Sequence, residues 1–121
     1  NLNFNIQNED GKTIFYFACE NELTDEIAIK MLNDQRFDDI LKDDENSTGF
    51  HIACEKGTVS LIEMLLNDSR FENILNEKDN YGDTPFHYAC SNKNYKIGLT
   101  LLNDERIDIN QINNQDETPF H

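Results

Sequence analysis

The sequence predicts an all-α solenoid of stacked helix-turn-helix units with protruding loops. Three observations carry that expectation. Two sequence blocks recur in one register along the chain. The helices they specify are too short to be stable alone. A polar stretch follows each helix pair at the same point of the period. Units that cannot bury their own apolar faces must bury them against neighbours, and the result is a stacked array.

The first block opens on Thr. Thr48-Gly49-Phe50-His51-Ile52-Ala53-Cys54 recurs as Thr84-Pro85-Phe86-His87-Tyr88-Ala89-Cys90, with a weaker copy at Thr13-Ile14-Phe15-Tyr16-Phe17-Ala18-Cys19. Thr118-Pro119-Phe120-His121 begins a fourth, and the Thr spacings are 35, 36 and 34. The second block, in phase with the first, is Met31-Leu32-Asn33-Asp34, Leu65-Leu66-Asn67-Asp68 and Leu101-Leu102-Asn103-Asp104, each followed two residues later by Arg36, Arg70 or Arg106.

Within a unit, Thr84 is suited to the N-cap, because its hydroxyl can accept from an early helix N–H. Pro85 then takes the first helical position, where a missing N–H costs nothing. Phe86, Ala89 and Cys90 share one apolar face, and the Lys93-Asn94 stretch ends this first helix. The second helix is announced by Val59, Ile62, Leu65 and Leu66 at helical spacing. The polar run from Asn76 to Asp83 then makes the loop, with Gly82 supplying turn geometry.

Asp79-x-x-Gly82-x-Thr84-Pro85-Phe86-His87-x-Ala89-Cys90, followed by Leu101-Leu102, resembles the ankyrin repeat pattern D-x-x-G-x-T-P-L-H-x-A-A … L-L. Leu75-Asn76 and Ile109-Asn110 stand where the family carries V-N. The resemblance spans essentially the whole chain as a single ankyrin-repeat domain, 1–121. It implies full repeats at 13–47, 48–83 and 84–117, an incoming loop at 1–12 (Phe4-Asn5, Gly11, Thr13) and the start of a truncated repeat at 118–121. The chain thus reads as a piece of a longer array, without polar capping repeats and with apolar ends exposed. It departs from the family in several places. The three Arg residues stand near the family's Gly. The stretch from Arg70 to Thr84 is longer than its counterparts. The first unit has an extra residue around Asn21-Glu22-Leu23-Thr24, and Tyr16 replaces the motif His. Gly98 weakens the last helix by about 1 kcal/mol relative to Ala.

Composition narrows the function. Ten Lys and Arg against 24 Asp and Glu leave a net charge of −14, which disfavours nucleic-acid binding and adsorption to an anionic membrane. About a quarter of the chain is Leu, Ile, Val or Phe, above the roughly 20% below which high charge implies disorder. No apolar run approaches the ~18 residues of a membrane span. Three cysteines without a short pair spacing fit an intracellular, cytoplasmic chain with reduced thiols.

Candidate chemistry has plain structural alternatives. His51 with Cys54 and His87 with Cys90 have a spacing that zinc could use and that a thiol nucleophile with a base could share. Their recurrence once per unit, broken at Tyr16, reads instead as structural, and the resemblance implies that the motif His bonds the cap Thr and neighbouring backbone. Asp38-Asp39 and Asp43-Asp44 lack the spaced oxygen-ligand pattern of a calcium loop and read as solvated acids. Each Arg is placed near the negative end of its helix and within reach of Asp34, Asp68 or Asp104. No metal and no cofactor are expected. No disulfide is expected either, since equivalent positions in stacked units lie about 10 Å apart and bridged Cα atoms within about 7 Å.

The resemblance also implies a non-enzymatic protein-protein interaction module, a scaffold-type repeat protein acting as a monomer. Its concave surface of loop tips and inner helices would take an unknown partner protein or peptide, one with basic residues being favoured by the acidic surface. Carried onto this chain, the surface comprises Glu9, Asp10, Lys12, Glu20 and Asn21; Lys42, Asp44, Glu45, Ser47, Glu55 and Lys56; Lys78, Asn80, Tyr81, Asp83, Ser91 and Asn92; and Ile112, Asn114, Gln115 and Glu117. Partner contact is expected to centre on Glu45, Ser47, Glu55, Lys56, Lys78, Asn80, Tyr81, Asp83, Ser91 and Asn92. With eight acids and four lysines the whole surface is mixed and mildly acidic, and Tyr81 is its single aromatic. Two other roles fit the same pattern: a targeting or regulatory segment of a larger enzyme or channel, and a structural spacer in a long array.

Overall fold

Six short α-helices stack in pairs in the computed structural model, which describes residues 6–21, 25–37, 41–91 and 95–120. They are α1 (Ile14–Cys19), α2 (Asp25–Leu32), α3 (Gly49–Lys56), α4 (Val59–Leu66), α5 (Pro85–Ser91) and α6 (Tyr95–Leu102), with a 3-10 helix at Ser69–Ile74. Among the described residues there is no strand. The inner helices α1, α3 and α5 pack on one another in sequence, and the outer helices α2, α4 and α6 form a second row behind them. The extra residue expected around Asn21–Thr24 falls mostly on positions outside the described residues, as do Asp38-Asp39, Lys93-Asn94, Phe4-Asn5 and His121.

The helices begin where the threonines require. Thr13 Oγ1 accepts from Tyr16 N–H at 3.2 Å, Thr48 from His51 N–H at 3.3 Å and Thr84 from His87 N–H at 3.3 Å. Thr58 caps α4 in the same way, accepting from Leu61 N–H, and its hydroxyl donates to Asp25 at the start of α2. These bonds satisfy amides that the first helical turn leaves without a partner. Pro85 opens α5 at the position where its ring is tolerated.

The core is a column of repeated positions. Phe15, Phe50 and Phe86, two residues after each cap, are almost fully buried, as are Ala53, Cys54 and Ala89 behind them. The residue after each Arg joins the column: Phe37 and Phe71 are buried, their rings 4.7 and 5.9 Å from Phe15. Gly49 is required here, because a Cβ would lie 2.8 Å from the Phe15 ring. Both ends of the stack are apolar and exposed, with Ile14 and Ile27 at one and Leu99, Leu102 and Phe120 at the other.

The repeated Arg does more than pair within its own unit. Arg36, Arg70 and Arg106 each clamp the Asp two residues earlier, through Nε and Nη2. Arg70 Nη2 also donates to the carbonyl of Leu32 at 2.7 Å, and its Nη1 to that of Phe37 at 2.6 Å. Arg106 Nη2 donates to the carbonyl of Leu66 at 2.7 Å. Leu32 and Leu66 end α2 and α4, so the guanidinium serves the negative end of the preceding unit's helix, not only that of its own. A charged donor at the C-terminal carbonyls is favourable for both hydrogen bonding and the helix dipole.

Candidate partner-binding groove

The loops between units are built on one repeated turn. Asn8, Asp43, Asp79 and Asn113 each accept two backbone amides on their Oδ1, from the residues two and four further on. Such Asx turns hold a tight tip without help from a sheet. The residue three after each enters the left-handed region, as Gly11, Asn46, Gly82 and Asp116. Successive tips then bond to each other: Asp44 N–H donates to Asp10 O at 2.9 Å, Asn80 N–H to Glu45 O at 2.8 Å and Asn114 N–H to Tyr81 O at 2.9 Å. The tips are therefore one continuous hydrogen-bonded edge. Gly82 has φ +79 and lies where a Cβ would meet Asn114 N at 2.7 Å, so this close approach of loops depends on glycine.

The histidines join the loops to the inner helices. His51 Nδ1 accepts from Thr48 N–H at 3.1 Å, which leaves the proton on Nε2 to donate to Glu77 O at 2.7 Å. His87 repeats the arrangement with Thr84 N–H at 3.1 Å and Glu117 O at 3.1 Å. Burial pushes the His51 pKa down, so its neutral form is the stable one. Burial raises the thiols of Cys54 and Cys90, the opposite of what an activated nucleophile needs. Cys19, Cys54 and Cys90 are not joined in disulfides.

Between the tips and the inner helices lies a groove of about 700 Å³. Ile52, Tyr88 and Cys90 are on its helical side, Glu45, Tyr81 and Asp83 on one loop side, and Gln115 and Glu117 on the next. Five carboxylates line it, those of Glu45, Glu55, Asp79, Asp83 and Glu117, and among the described residues no Lys or Arg does. The ion pairs of Arg36, Lys42, Arg70 and Arg106 all lie outside this lining.

Of the residues expected at the partner contact, Glu45, Glu55, Tyr81, Asp83 and Ser91 come together in the groove. Tyr81 is 58% exposed, and its hydroxyl donates to Glu45 Oε2 at 2.6 Å, which raises its pKa. Glu45 thus also steadies the Tyr81 ring. Asp83 Oδ1 accepts from Asn113 Nδ2 at 3.0 Å, and Ser91 Oγ donates to Tyr88 O. Lys56, Lys78 and Asn80 are exposed but outside the lining. Lys78 Nζ donates to Ile112 O, and Asn80 exchanges side-chain bonds with the neighbouring tips. Ser47 departs from expectation. It is 3% exposed, with its Oγ 2.8 Å from Tyr88 Oη, because the Asp43 turn holds its N–H and its carbonyl just before the cap. Asn92 lies outside the described residues.

The structure adds residues that the sequence reading missed. Tyr81 is not the single aromatic, since Tyr16 and Tyr88 also line the groove. Tyr88 donates to Asp79 Oδ2 at 2.5 Å, and burial followed by that bond raises its phenol pKa. The available signal was the variable residue four after each Thr, occupied by Phe17, Ile52 and Tyr88. As Ile52 and Tyr88 it lines the groove, one position beyond the buried His.

Comparison with known families agrees with this geometry. A family model described as ankyrin repeats, in three copies, matches residues 24–113. Together with the all-helical stack and its bonded loop tips, that match assigns the chain to the ankyrin repeat family.

Proposed function

We propose that this chain is a non-enzymatic binding module whose concave groove takes a partner protein or peptide carrying basic residues. Ankyrin repeats are generally protein–protein interaction modules and typically non-catalytic. The observation that supports the reading here is the groove lining, with five carboxylates and an exposed tyrosine. Charge complementarity of this kind steers encounter and selects partners, and tyrosine is among the residues that dominate binding energy. We take the repeats as 13–47, 48–83 and 84–117, in step with the Thr caps, so that the groove centres on the contact between the last two. Glu45, Glu55, Tyr81, Asp83 and Ser91 form the contact, with Lys56, Lys78 and Asn80 at its margin.

The test uses a partner captured by the intact protein, with melts to confirm that each variant folds. Tyr81→Ala is expected to weaken binding about tenfold, as a modest hot spot does. Charge reversal at Glu45 and Glu55 is expected mainly to slow association, an effect that fades with salt. Glu63→Lys, on the outer helix α4, should change little. If Glu63→Lys abolished binding and Tyr81→Ala did not, the partner would be using the convex face.

A further inference from the structure

The first repeat shows how a cation sits on this face. Lys12 Nζ lies 5.1 Å from the centroid of the Tyr16 ring and 6.0 Å from that of Phe17, within the range of a cation–π contact. Lys12 immediately precedes the cap Thr13, and the equivalent residues in later repeats are Ser47, Asp83 and Glu117. The third repeat keeps an aromatic ring at the Phe17 position, as Tyr88, but carries a carboxylate where the first repeat carries the lysine. The chain supplies its own cation at one end of the face, and along the groove it supplies the ring and the counter-charge.

The counter-charge is also gathered. Asn113 Nδ2 donates to Asp83 Oδ1 at 3.0 Å and to Glu117 Oε1 at 3.0 Å. One amide thus holds two carboxylates side by side, and each keeps its second oxygen as a further acceptor. Two like charges brought together in this way are stabilised by a cation that both can reach. The Tyr88 ring is fixed in orientation by its hydroxyl, which bonds Asp79 and Ser47. A planar guanidinium can lie on an aromatic face while its edges donate to carboxylates, and it is more weakly hydrated than an ammonium.

We propose that the groove takes an arginine side chain from an extended segment of the partner, laid against Tyr88 and bonded to Asp83 and Glu117. This rests on the protein-binding reading above and names the residue that the groove recognises. The probe is a Gly/Ser heptapeptide with one central arginine, titrated into the isotopically labelled 121-residue chain at low ionic strength and followed by amide NMR shifts. Saturable shifts are expected around residues 81–88 and 113–118. Replacing the arginine by lysine should weaken binding several-fold, and replacing it by neutral citrulline should abolish it. Asp83→Asn with Glu117→Gln should weaken binding at least about tenfold. Asp83→Asn alone, which keeps an acceptor for Asn113, should weaken it less and serves if the double variant does not fold. Glu63→Gln should leave the affinity unchanged.

Equal binding of the citrulline peptide would overturn the proposal. So would equal losses from Glu63→Gln and the groove variants, which would mean attraction by net charge alone. If the arginine peptide fails to bind while Tyr81→Ala still weakens the natural partner, the arginine site falls and the protein-binding reading stands. If Tyr81→Ala leaves that partner untouched as well, the placement of binding in the groove falls with it.

Discussion

A single imidazole can be worth a whole inter-repeat contact, and His51 is the clearest case. Its Nδ1 needs a donor and has one in Thr48 N–H, while its Nε2–H reaches forward to Glu77 O and Asp83 O on the following loop. Protonation would place a second N–H against the Thr48 amide, and burial opposes it, outweighing the pull of Asp79 and Asp43 nearby. The folded pKa therefore lies below the ordinary 6.5, and the unfolded chain takes up the proton first as pH falls. Stability is full above about pH 6.5 and declines on the acid side until the folded imidazole also titrates. Asp34, Asp68 and Asp104, held low by Arg36, Arg70 and Arg106, contribute in a separate window. Their share is intact at neutral pH and is lost only as pH falls below about 4. Urea midpoints at pH 7.5, 6.5, 5.5 and 5.0 should thus decline for the native chain and stay flatter for His51→Gln, though that variant starts lower. Parallel curves would mean that other groups carry the pH dependence.

At the scale of the element, the two kinds of glycine predict opposite outcomes. Gly98 lies inside α6, where an added Cβ meets nothing within 4 Å. Gly98→Ala should then stabilise the protein by about 0.5–1 kcal/mol, through helix propensity alone, seen as a Tm a few degrees higher. Gly82→Ala should lower the Tm, because φ is +79 and the Asn114 amide leaves no room. The same contrast explains what was legible in the sequence. Helix starts were readable because Thr, Pro and the apolar spacing act locally, within a turn or two. The bonded edge of loop tips was not, since its partners are backbone groups 33–35 residues apart, and backbone groups carry no sequence signature. Ser47 was misplaced for a related reason: a small polar residue beside a cap looks the same in sequence whether it faces water or Tyr88. Tyr16 stands in the motif His position and Tyr88 is next to it, and in sequence a residue there reads as part of the helix core. The Asx turns were half visible, with Gly82 flagged and Asn46 and Asp116 in the same conformation unmarked.

For the whole molecule, stability is a sum of units and the contacts between neighbours, because among the described residues the main element contacts lie within a unit or between adjacent units. The array then depends on how firmly each junction is coupled, and the Arg latches make the junctions unequal. Arg70 joins the first two helix pairs through two carbonyls, Leu32 and Phe37, and lies 5.1 Å from the Phe37 ring centroid. Arg106 joins the next pair through one carbonyl, that of Leu66, and is the more exposed of the two. The sequence showed the two residues as equivalent, and only the stacked geometry separates them. Hydrogen bonds from a charged donor contribute about 1.5–3 kcal/mol, and exposure to water lowers that share. Arg70→Gln should therefore cost about 2–3 kcal/mol and Arg106→Gln about 1 kcal/mol in urea unfolding. Phe15, Phe37 and Phe71 still bridge the first junction when Arg70 is lost, so unfolding should remain a single transition with an unchanged slope in denaturant. Equal costs for the two variants would show that the carbonyl contacts contribute little beyond the local Asp–Arg pair. A split transition for Arg70→Gln would show that the latch, and not the aromatic column, joins the first repeat to the rest.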